Sequence, residues 1–250
     1  MKIILTGALG RMGKMITECA PQHGIEIVCG VDVSSAPAPY PIYNAFAEVT
    51  QAADGVIDFS SPKCLKSELE FCKRHGLPLL LAATGYTDDD VRLIESYSEE
   101  IAVFKTGNLS LGINLLQLLV KKAAAILGDG FDAEIIERHH GMKKDAPSGT
   151  ALMLGQSVRD GFNEDKTFIF GRQGMVGERK KAEIGIHAVR GGTIVGEHEV
   201  MFAGEDEIIT LSHSARSRKV FALGALRAII WLKDKSAGLY DMDDMLSEII

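Results

Sequence analysis

The stretch of this 250-residue sequence with the most chemical potential is ERHHGMKKDAPSGTA, from Glu137 to Ala151. It sets two histidines and two lysines directly before a proline-serine-glycine turn. Histidine titrates near neutral pH, and a lysine ammonium can pair with an anion or release a proton. Because the whole chain carries a net charge of -7, this stretch is a local exception. We expect it to form a site for a small polyanion with a proton donor beside it.

Strand geometry separates the two histidines of this stretch. If AEIIERHH is a strand, Glu137 and His139 point to one face while Arg138 and His140 point to the other. The two histidines therefore cannot have the same role. One is expected to face the reacting centre, and the other to flank the ligand.

The residues after this strand add cations and a helix start. Lys143 and Lys144 fall in a loop that can fold an ammonium back over the strand end. Ser148 is a natural N-cap for a helix that begins near Thr150. The backbone N-H groups of Gly149 and Thr150 would then face outward, as in sites that bind carboxylates or phosphates.

Each of these features also has a common structural explanation. Paired histidines at a strand end are often only exposed or hydrogen-bonded, and a lysine pair in a loop is often a solvated surface. A histidine pair can also bind zinc, but no cysteine and no further histidine stands nearby at ligand spacing. Metal binding is therefore disfavoured.

A second motif, GALGRMG, follows the first predicted strand. It places Gly7, Gly10 and Gly13 where glycines let the backbone approach a pyrophosphate at the start of a helix. Asp32 ends the second predicted strand, where a carboxylate can accept hydrogen bonds from ribose hydroxyls. The order of strand, loop, helix, strand and acid predicts a bound dinucleotide, with a purely structural glycine turn as the alternative.

The elements around this motif predict the fold. Over the first hundred residues, strands rich in β-branched residues alternate with amphipathic helices, which indicates a parallel sheet covered on both faces. The strand ends at Ala82–Tyr86 and Thr106–Ser110 fall at the edge where such sheets bind ligands. The predicted class is α/β, with a Rossmann-type doubly wound parallel sheet.

After residue 130 the pattern becomes rich in strands, with a single helix from Thr150 to about Phe162. Gly204-Glu205-Asp206 is a plausible hairpin turn. We expect a second, α+β domain with an open mixed sheet, and a face left uncovered by helices commonly packs against another subunit. The segment from Arg218 to Lys233 returns to helical periodicity and is expected to close back onto the first domain.

Bulk properties exclude several classes of protein. The first apolar run is too short for a signal peptide, and no later segment is expected to span a membrane, so we predict a cytoplasmic protein. The acidic balance disfavours nucleic-acid binding. The four cysteines form no CxxC and are expected to be buried free thiols: Cys19, Cys29, Cys64 and Cys72.

The central stretch closely resembles the signature E-x-H-H-x-x-K-x-D-x-P-S-G-T-A of the dihydrodipicolinate reductase family. The resemblance extends to GALGRMG, to VIDFSSP and to the C-terminal half, and covers nearly the whole chain. It implies a homotetramer that reduces 4-hydroxy-tetrahydrodipicolinate with NADH or NADPH, in the diaminopimelate route to lysine. It also implies a dinucleotide-binding domain of residues 1–109 and 218–250, and a substrate-binding and oligomerisation domain of residues 110–217.

The resemblance assigns roles to individual positions. His139 matches the acid/base position and Lys143 the proton donor, while His140, Gly149 and Thr150 match substrate-binding positions. The cofactor-binding positions are Gly7, Ala8, Leu9, Gly10, Arg11, Met12, Asp32, Ala82, Ala83, Thr84, Thr106, Gly107, Asn108 and Leu109.

Three features bear on the cofactor. The family often has Gly-Thr-Thr where this chain has Ala82-Ala83-Thr84, and Ala-Pro-Asn-Phe where it has Thr106-Gly107-Asn108-Leu109. Backbone contacts there survive such changes. Asp32 followed by Val33 predicts a preference for NADH, since a carboxylate repels the 2′-phosphate of NADPH.

Two other functions compete with this one. A related two-domain NAD(P)-dependent dehydrogenase of amino or hydroxy acids would share the first motif but not the second. A redox-sensing dinucleotide-binding regulator would keep the fold without chemistry, although such a sensor has no need of a proton donor.

Overall fold

The computed structural model describes residues 1–162 and 165–248. The chain divides into two compact units. The first unit comprises Met1–Ser110 and Arg218–Ile250, and the second comprises Leu111–Ser217.

The regular elements alternate along the first half of the chain and are mostly strands in the second. The helices are α1 (Arg11–Cys19), α2 (Leu65–His75), α3 (Asp88–Ser98), α4 (Leu111–Leu127), α5 (Gly149–Phe162), α6 (Lys219–Leu232) and α7 (Met242–Ser247). The strands are β1 (Lys2–Thr6), β2 (Glu26–Val31), β3 (Ile42–Tyr43), β4 (Gly55–Asp58), β5 (Leu79–Leu81), β6 (Ala102–Lys105), β7 (Asp132–His139), β8 (Thr167–Phe170), β9 (Glu183–Arg190), β10 (Gly196–Ala203), β11 (Ile208–Ala215) and β12 (Gly238–Tyr240).

The first unit is built on a parallel sheet with the strand order β12-β6-β5-β4-β1-β2-β3. Its central strands are buried on both faces, as expected for a sheet covered by helices on each side. The order reverses between β1 and β4, and open α/β sheets bind ligands at such a switch point. The predicted Rossmann-type sheet is confirmed.

The second unit contains a mixed sheet with the order β11-β10-β7-β9-β8. β7 and β8 each pair with β9 in parallel, whereas β10 is antiparallel to both β7 and β11. The tight turn between β10 and β11 is closed by the Gly204 N-H, which donates to the Glu207 carbonyl at 2.9 Å. The predicted α+β class and the hairpin are confirmed.

Helices cover one face of this second sheet. Val120 of α4 and Leu154 and Val158 of α5 join Ile135 and Val200 of the sheet in one buried apolar cluster. The opposite face of β7 is only half-buried. Its use for assembly stays a prediction.

One helix, α4, is unusually apolar. The segment Leu111–Gly130 is 20 residues long with a mean hydropathy of 1.4, which by length and composition alone is enough to cross a membrane. Core helices pass the same test, and Leu116, Val120 and Ala124 of this helix belong to the buried cluster of the second unit.

Candidate active site

The glycine loop of the first unit is held tightly against the neighbouring strand end. Gly7 has a φ of 73°, and its N-H donates to the Val31 carbonyl at 2.8 Å. A Cβ on Gly7 would lie 2.8 Å from the backbone of Phe59, and one on Gly13 would lie 2.3 Å from the Gly7 oxygen. Only glycine fits these positions, and α1 begins directly after the loop.

Asp32 connects this loop to the end of β2. Its Oδ2 accepts the Leu9 N-H at 3.0 Å, and its Oδ1 accepts the Ser34 N-H at 3.0 Å. The carboxylate is partly exposed, so further lone pairs remain for hydroxyl donors. Asp32 thus shapes the loop and lines the pocket beside it.

A pocket of about 430 Å³ opens at this point, at the ends of β1, β2 and β4. Its glycine backbone, acidic rim and place at the switch point fit a dinucleotide. It is lined by Thr6, Gly7, Gly10, Val31, Asp32, Val33, Asn44, Phe59, Ser60, Ser61, Lys63 and Cys64.

The structure does not bring every predicted cofactor residue to that lining. Ala8, Leu9, Arg11 and Met12 lie on the loop and the first turn of α1, outside the lining residues. Ala82–Thr84 follows β5 and Thr106–Leu109 follows β6, at the same edge of the parallel sheet.

The loop after β6 owes its shape to two of its own side chains. The Asn108 N-H donates to Thr106 Oγ1 at 3.2 Å, and Asn108 Oδ1 accepts the Ser110 N-H at 2.8 Å. Asn108 therefore shapes the backbone of this loop.

Two buried acids beside the pocket escaped the sequence analysis. Asp58 at the end of β4 accepts the Ser60 N-H at 2.7 Å, and Glu68 of α2 accepts the Thr6 hydroxyl at 2.6 Å. Burial raises the pKa of Asp58 despite its hydrogen bonds from Ser60. Burial raises the pKa of Glu68 well above its usual value, and the charge of Asp58 adds to the effect.

The half-buried thiol of Cys64 completes this cluster. One oxygen of each acid and the Cys64 Sγ lie within 4.8 Å of one another. Cys64 departs from the expectation of buried thiols, while Cys19, Cys29 and Cys72 are buried and free. The buried position of Glu68 gives no signal in the sequence, because a glutamate on an amphipathic helix normally faces water.

In the second unit, the burial of β7 alternates, with Glu137 and His139 on the buried face and Arg138 on the half-buried one. Glu137 is fully buried and His139 is 9% exposed. His139 Nδ1 lies 2.6 Å from Glu137 Oε2. The face of β7 that carries His139, the predicted acid/base residue, therefore also carries the Glu137 carboxylate that contacts it.

A bidentate ion pair fixes that carboxylate. Both guanidinium Nη atoms of Arg190 lie 2.7 Å from the oxygens of Glu137, and the Ser148 N-H donates to Glu137 at 2.9 Å. Burial alone would raise the pKa of Glu137, but hydrogen bonds from Arg190, His139 and Ser148 hold it below the usual value. Glu137 is thus ionised at neutral pH.

A second histidine, His198 of β10, stands edge-on to His139 with ring centroids 5.2 Å apart. Its Nε2 lies 3.1 Å from Ser148 Oγ. Burial lowers the pKa of His198 to about 4, with the neighbouring His139 acting in the same direction. His198 is therefore a neutral ring beside the site.

The loop and the helix start predicted from the sequence meet at this site. Lys143 Nζ pairs with Asp145 at 2.9 Å, and Lys144 beside it is exposed. Ser148 Oγ accepts the Ala151 N-H at 3.1 Å, which makes Ser148 the N-cap of α5. The predicted substrate positions lie at this loop and the first turn of α5, with His140 and Thr150 half-buried and Gly149 exposed.

Sequence reasoning missed Arg190 and His198. The register pairs Arg190 with His139 across two parallel strands, and His198 with Glu137 across two antiparallel ones. Both contacts depend on strand register between distant segments. The sequence shows only that each residue lies in a predicted strand.

Comparison with known proteins decides the family. The family pattern described as "Dihydrodipicolinate reductase, N-terminus" matches residues 1–109, and "Dihydrodipicolinate reductase, C-terminus" matches residues 112–246. The chain belongs to the dihydrodipicolinate reductase family. As a member, it is an NAD(P)-dependent oxidoreductase with the Rossmann fold described above.

Relatives in this family are similar over almost their full length. The 4-hydroxy-tetrahydrodipicolinate reductase of Caldanaerobacter subterraneus subsp. tengcongensis is 45% identical over 249 residues, which cover 99% of both chains. That of Clostridium novyi is 48% identical over 247 residues, or 98% of both chains.

Solved structures share the fold at lower identity. A dipicolinate-bound dihydrodipicolinate reductase from Paenisporosarcina sp. TG-14 is 24% identical, has a TM-score of 0.78 and matches over 96% of this chain and 97% of that one. A probable dehydrogenase from Thermotoga maritima is 12% identical, with a TM-score of 0.65 over 98% of this chain and 92% of that one. Likeness at these identities concerns the fold alone.

Proposed function

We propose that this protein reduces 4-hydroxy-tetrahydrodipicolinate to tetrahydrodipicolinate by hydride transfer from NAD(P)H, with uptake of one proton and loss of the 4-hydroxyl as water, in lysine biosynthesis by the diaminopimelate pathway. The observation that carries the proposal is the site at the end of β7. There the family signature forms one connected arrangement of an ionised Glu137, His139, Arg190 and the N-cap of α5. The dipicolinate named in the Paenisporosarcina structure supports a small cyclic dicarboxylate as substrate.

The residues of the second unit would each have a role in this reaction. His139 acts as the acid/base group, and its Nδ1 is already engaged by Glu137. Lys143 donates the proton that reduction of the ring requires and pairs with a substrate carboxylate in place of Asp145. His140, Gly149 and Thr150 bind the substrate at the loop and the start of α5, where the helix dipole favours a second carboxylate.

The first unit would hold the cofactor, which when bound supplies the hydride. Gly7 and Gly10 let the backbone approach its pyrophosphate, and Asp32 accepts its ribose hydroxyls. We assign the same function to the rest of the glycine loop and to the loops after β5 and β6: Ala8, Leu9, Arg11, Met12, Ala82, Ala83, Thr84, Thr106, Gly107, Asn108 and Leu109.

Within this proposal, NADH serves at least as well as NADPH. Asp32 repels a 2′-phosphate, and Val33 beside it adds no positive charge. Three positive charges weaken this discrimination against NADPH: Lys63 on the pocket lining, and Arg11 and Lys14 on α1. Measuring kcat/KM for both cofactors at matched ionic strength tests this preference for NADH. A preference for NADPH beyond about tenfold, or about 1.4 kcal/mol, would show that it is wrong.

The setting of the reaction is also part of the proposal. We place the enzyme in the cytoplasm as a homotetramer, acting on a small molecule without a membrane, nucleic acid or metal.

The test of the function is cofactor oxidation followed at the nicotinamide absorbance, with substrate generated by the preceding synthase. Aspartate and homoserine are tested in parallel, because dehydrogenases of amino acids share the first motif. Oxidation that depends on the synthase product supports the proposal. Turnover of aspartate or homoserine instead, or cofactor binding without any turnover, would contradict it.

A further inference from the structure

The buried carboxylate of Glu137 is the point where three parts of the site meet. It accepts from His139 Nδ1 at 2.6 Å, from the Ser148 N-H at 2.9 Å and from both Nη atoms of Arg190 at 2.7 Å. Arg190 Nη2 also donates to the carbonyl of Asp145 at 2.7 Å. The histidine, the Lys143 loop and the start of α5 are therefore joined through one side chain and its guanidinium partner.

We propose that Glu137, clamped by Arg190, is a positioning residue that fixes His139, the Lys143 loop and the N-terminus of α5 in a single working arrangement. This inference rests on the proposed function, because it assumes that these three parts act on one substrate.

The chemistry of an ionised carboxylate sets the state of His139. Such a group only accepts hydrogen bonds, so the Nδ1 of His139 must donate to Glu137. Nε2 is then the ring nitrogen that exchanges a proton with a ligand. Gly196 lies beside Nε2, where a Cβ would come within 3.0 Å of this nitrogen.

The remaining charges around His139 do not replace Glu137. His198 is neutral because burial lowers its pKa to about 4. Among residues 1–162 and 165–248, Glu137 is the carboxylate that hydrogen-bonds to the His139 ring. Farther out, His213 and Lys143 act electrostatically on His198, and Asp145 acts on Arg190.

The same strand supplies a matched control. Glu134 lies on the opposite face of β7 and accepts both Nη atoms of Arg172 at 2.9 Å and His187 Nε2 at 2.7 Å. Despite burial, these partners and Arg179 lower the pKa of Glu134 to about 2. Glu134→Gln therefore removes a clamped carboxylate of similar kind without a contact to His139.

The experiment compares Glu137→Gln with Glu134→Gln and wild type. In Glu137→Gln, we expect kcat to fall by about 10²-fold, as for a displaced reacting group, with KM for the cofactor unchanged. The pH-rate profile should change, and the ring ¹⁵N NMR signals of His139, assigned with a His139→Gln spectrum, should lose the preference for a proton on Nδ1. Glu134→Gln should change neither.

Three outcomes would overturn the proposal. These are a Glu137→Gln profile that overlaps the wild type, equal effects of both variants, or a fall in kcat with no change in the ring signals of His139. If Glu137→Gln does not fold, Arg190→Lys keeps the charge but breaks the clamp and the bond to Asp145. It must then raise KM for the substrate more than KM for the cofactor. If wild type shows no turnover, the proposed function fails, and the ring signals of His139 still decide the positioning role without a substrate.

Discussion

At the residue scale, we propose two roles for Lys143, as proton donor and as partner of a substrate carboxylate. Its side chain is 21% exposed and its Nζ is paired with Asp145 at 2.9 Å, and that contact holds the pKa of Asp145 below its usual value. A substrate carboxylate can replace this partner without leaving the ammonium unpaired. The arrangement keeps the side chain in place before substrate binds.

We predict that Lys143→Ala lowers kcat by about 10² to 10⁴, because a general acid contributes that much. Cofactor affinity should hardly change. The exposed neighbour Lys144 provides the control, and Lys144→Ala should stay close to wild type. Steady-state kinetics of the three proteins measure the effect, and a Lys143→Ala enzyme with more than about a tenth of wild-type turnover would refute the role.

The residues of the site were predictable only where they are contiguous in sequence. His139, Lys143 and Ser148 fall in one short stretch, so residue types and strand alternation already indicate their roles. Arg190 and His198 reach the site through the register of β9 and β10 against β7, which no local pattern specifies.

At the scale of elements, the central strands of both sheets and the long edge strand β11 were predictable, and the short edge strands were not. β3, β8 and β12 were all missed, and each lies at an edge of its sheet. They are two to four residues long, too short for a periodic pattern. Pairing with a neighbour, rather than their own sequence, makes them strands.

The contact between β4 and α2 predicts a pH-dependent stability. The pKa of Glu68 is raised by burial and by Asp58, so the folded state holds a proton that the unfolded state releases. Stability therefore falls as pH rises from the ordinary carboxyl range through the raised value, by about 1.4 kcal/mol per unit of difference.

Glu68→Gln should abolish this fall, because an amide does not ionise. We expect the free energy of unfolding of the variant to exceed that of wild type increasingly as pH rises through that window. Denaturant titrations at a series of pH values measure it, with the exposed Glu70→Gln on the same helix as control. Parallel curves for Glu68→Gln and wild type would show that Glu68 is not protonated in the folded protein.

At the scale of the whole molecule, we expect the half-buried face of the second sheet to pack against another subunit. Val189 on β9 pairs with Arg138 of β7 in register and is 45% exposed. An open sheet face with exposed apolar residues is typical of a subunit interface.

We predict that sedimentation at micromolar concentration shows a tetramer, four times the chain mass of 27.0 kDa. Val189→Asp should shift the protein toward smaller species, because it places a charge on the proposed interface. A folded wild-type monomer at this concentration would remove the sheet face from any role in assembly.

The central claim is that hydride passes from NAD(P)H to 4-hydroxy-tetrahydrodipicolinate on this protein. Its most direct test uses a nicotinamide cofactor deuterated at the transferred position, with synthase-generated substrate and mass spectrometry of the product. We expect tetrahydrodipicolinate that carries one deuterium for each cofactor oxidised. Cofactor oxidation that leaves no deuterium in tetrahydrodipicolinate, or labelling of a different acid, would contradict it.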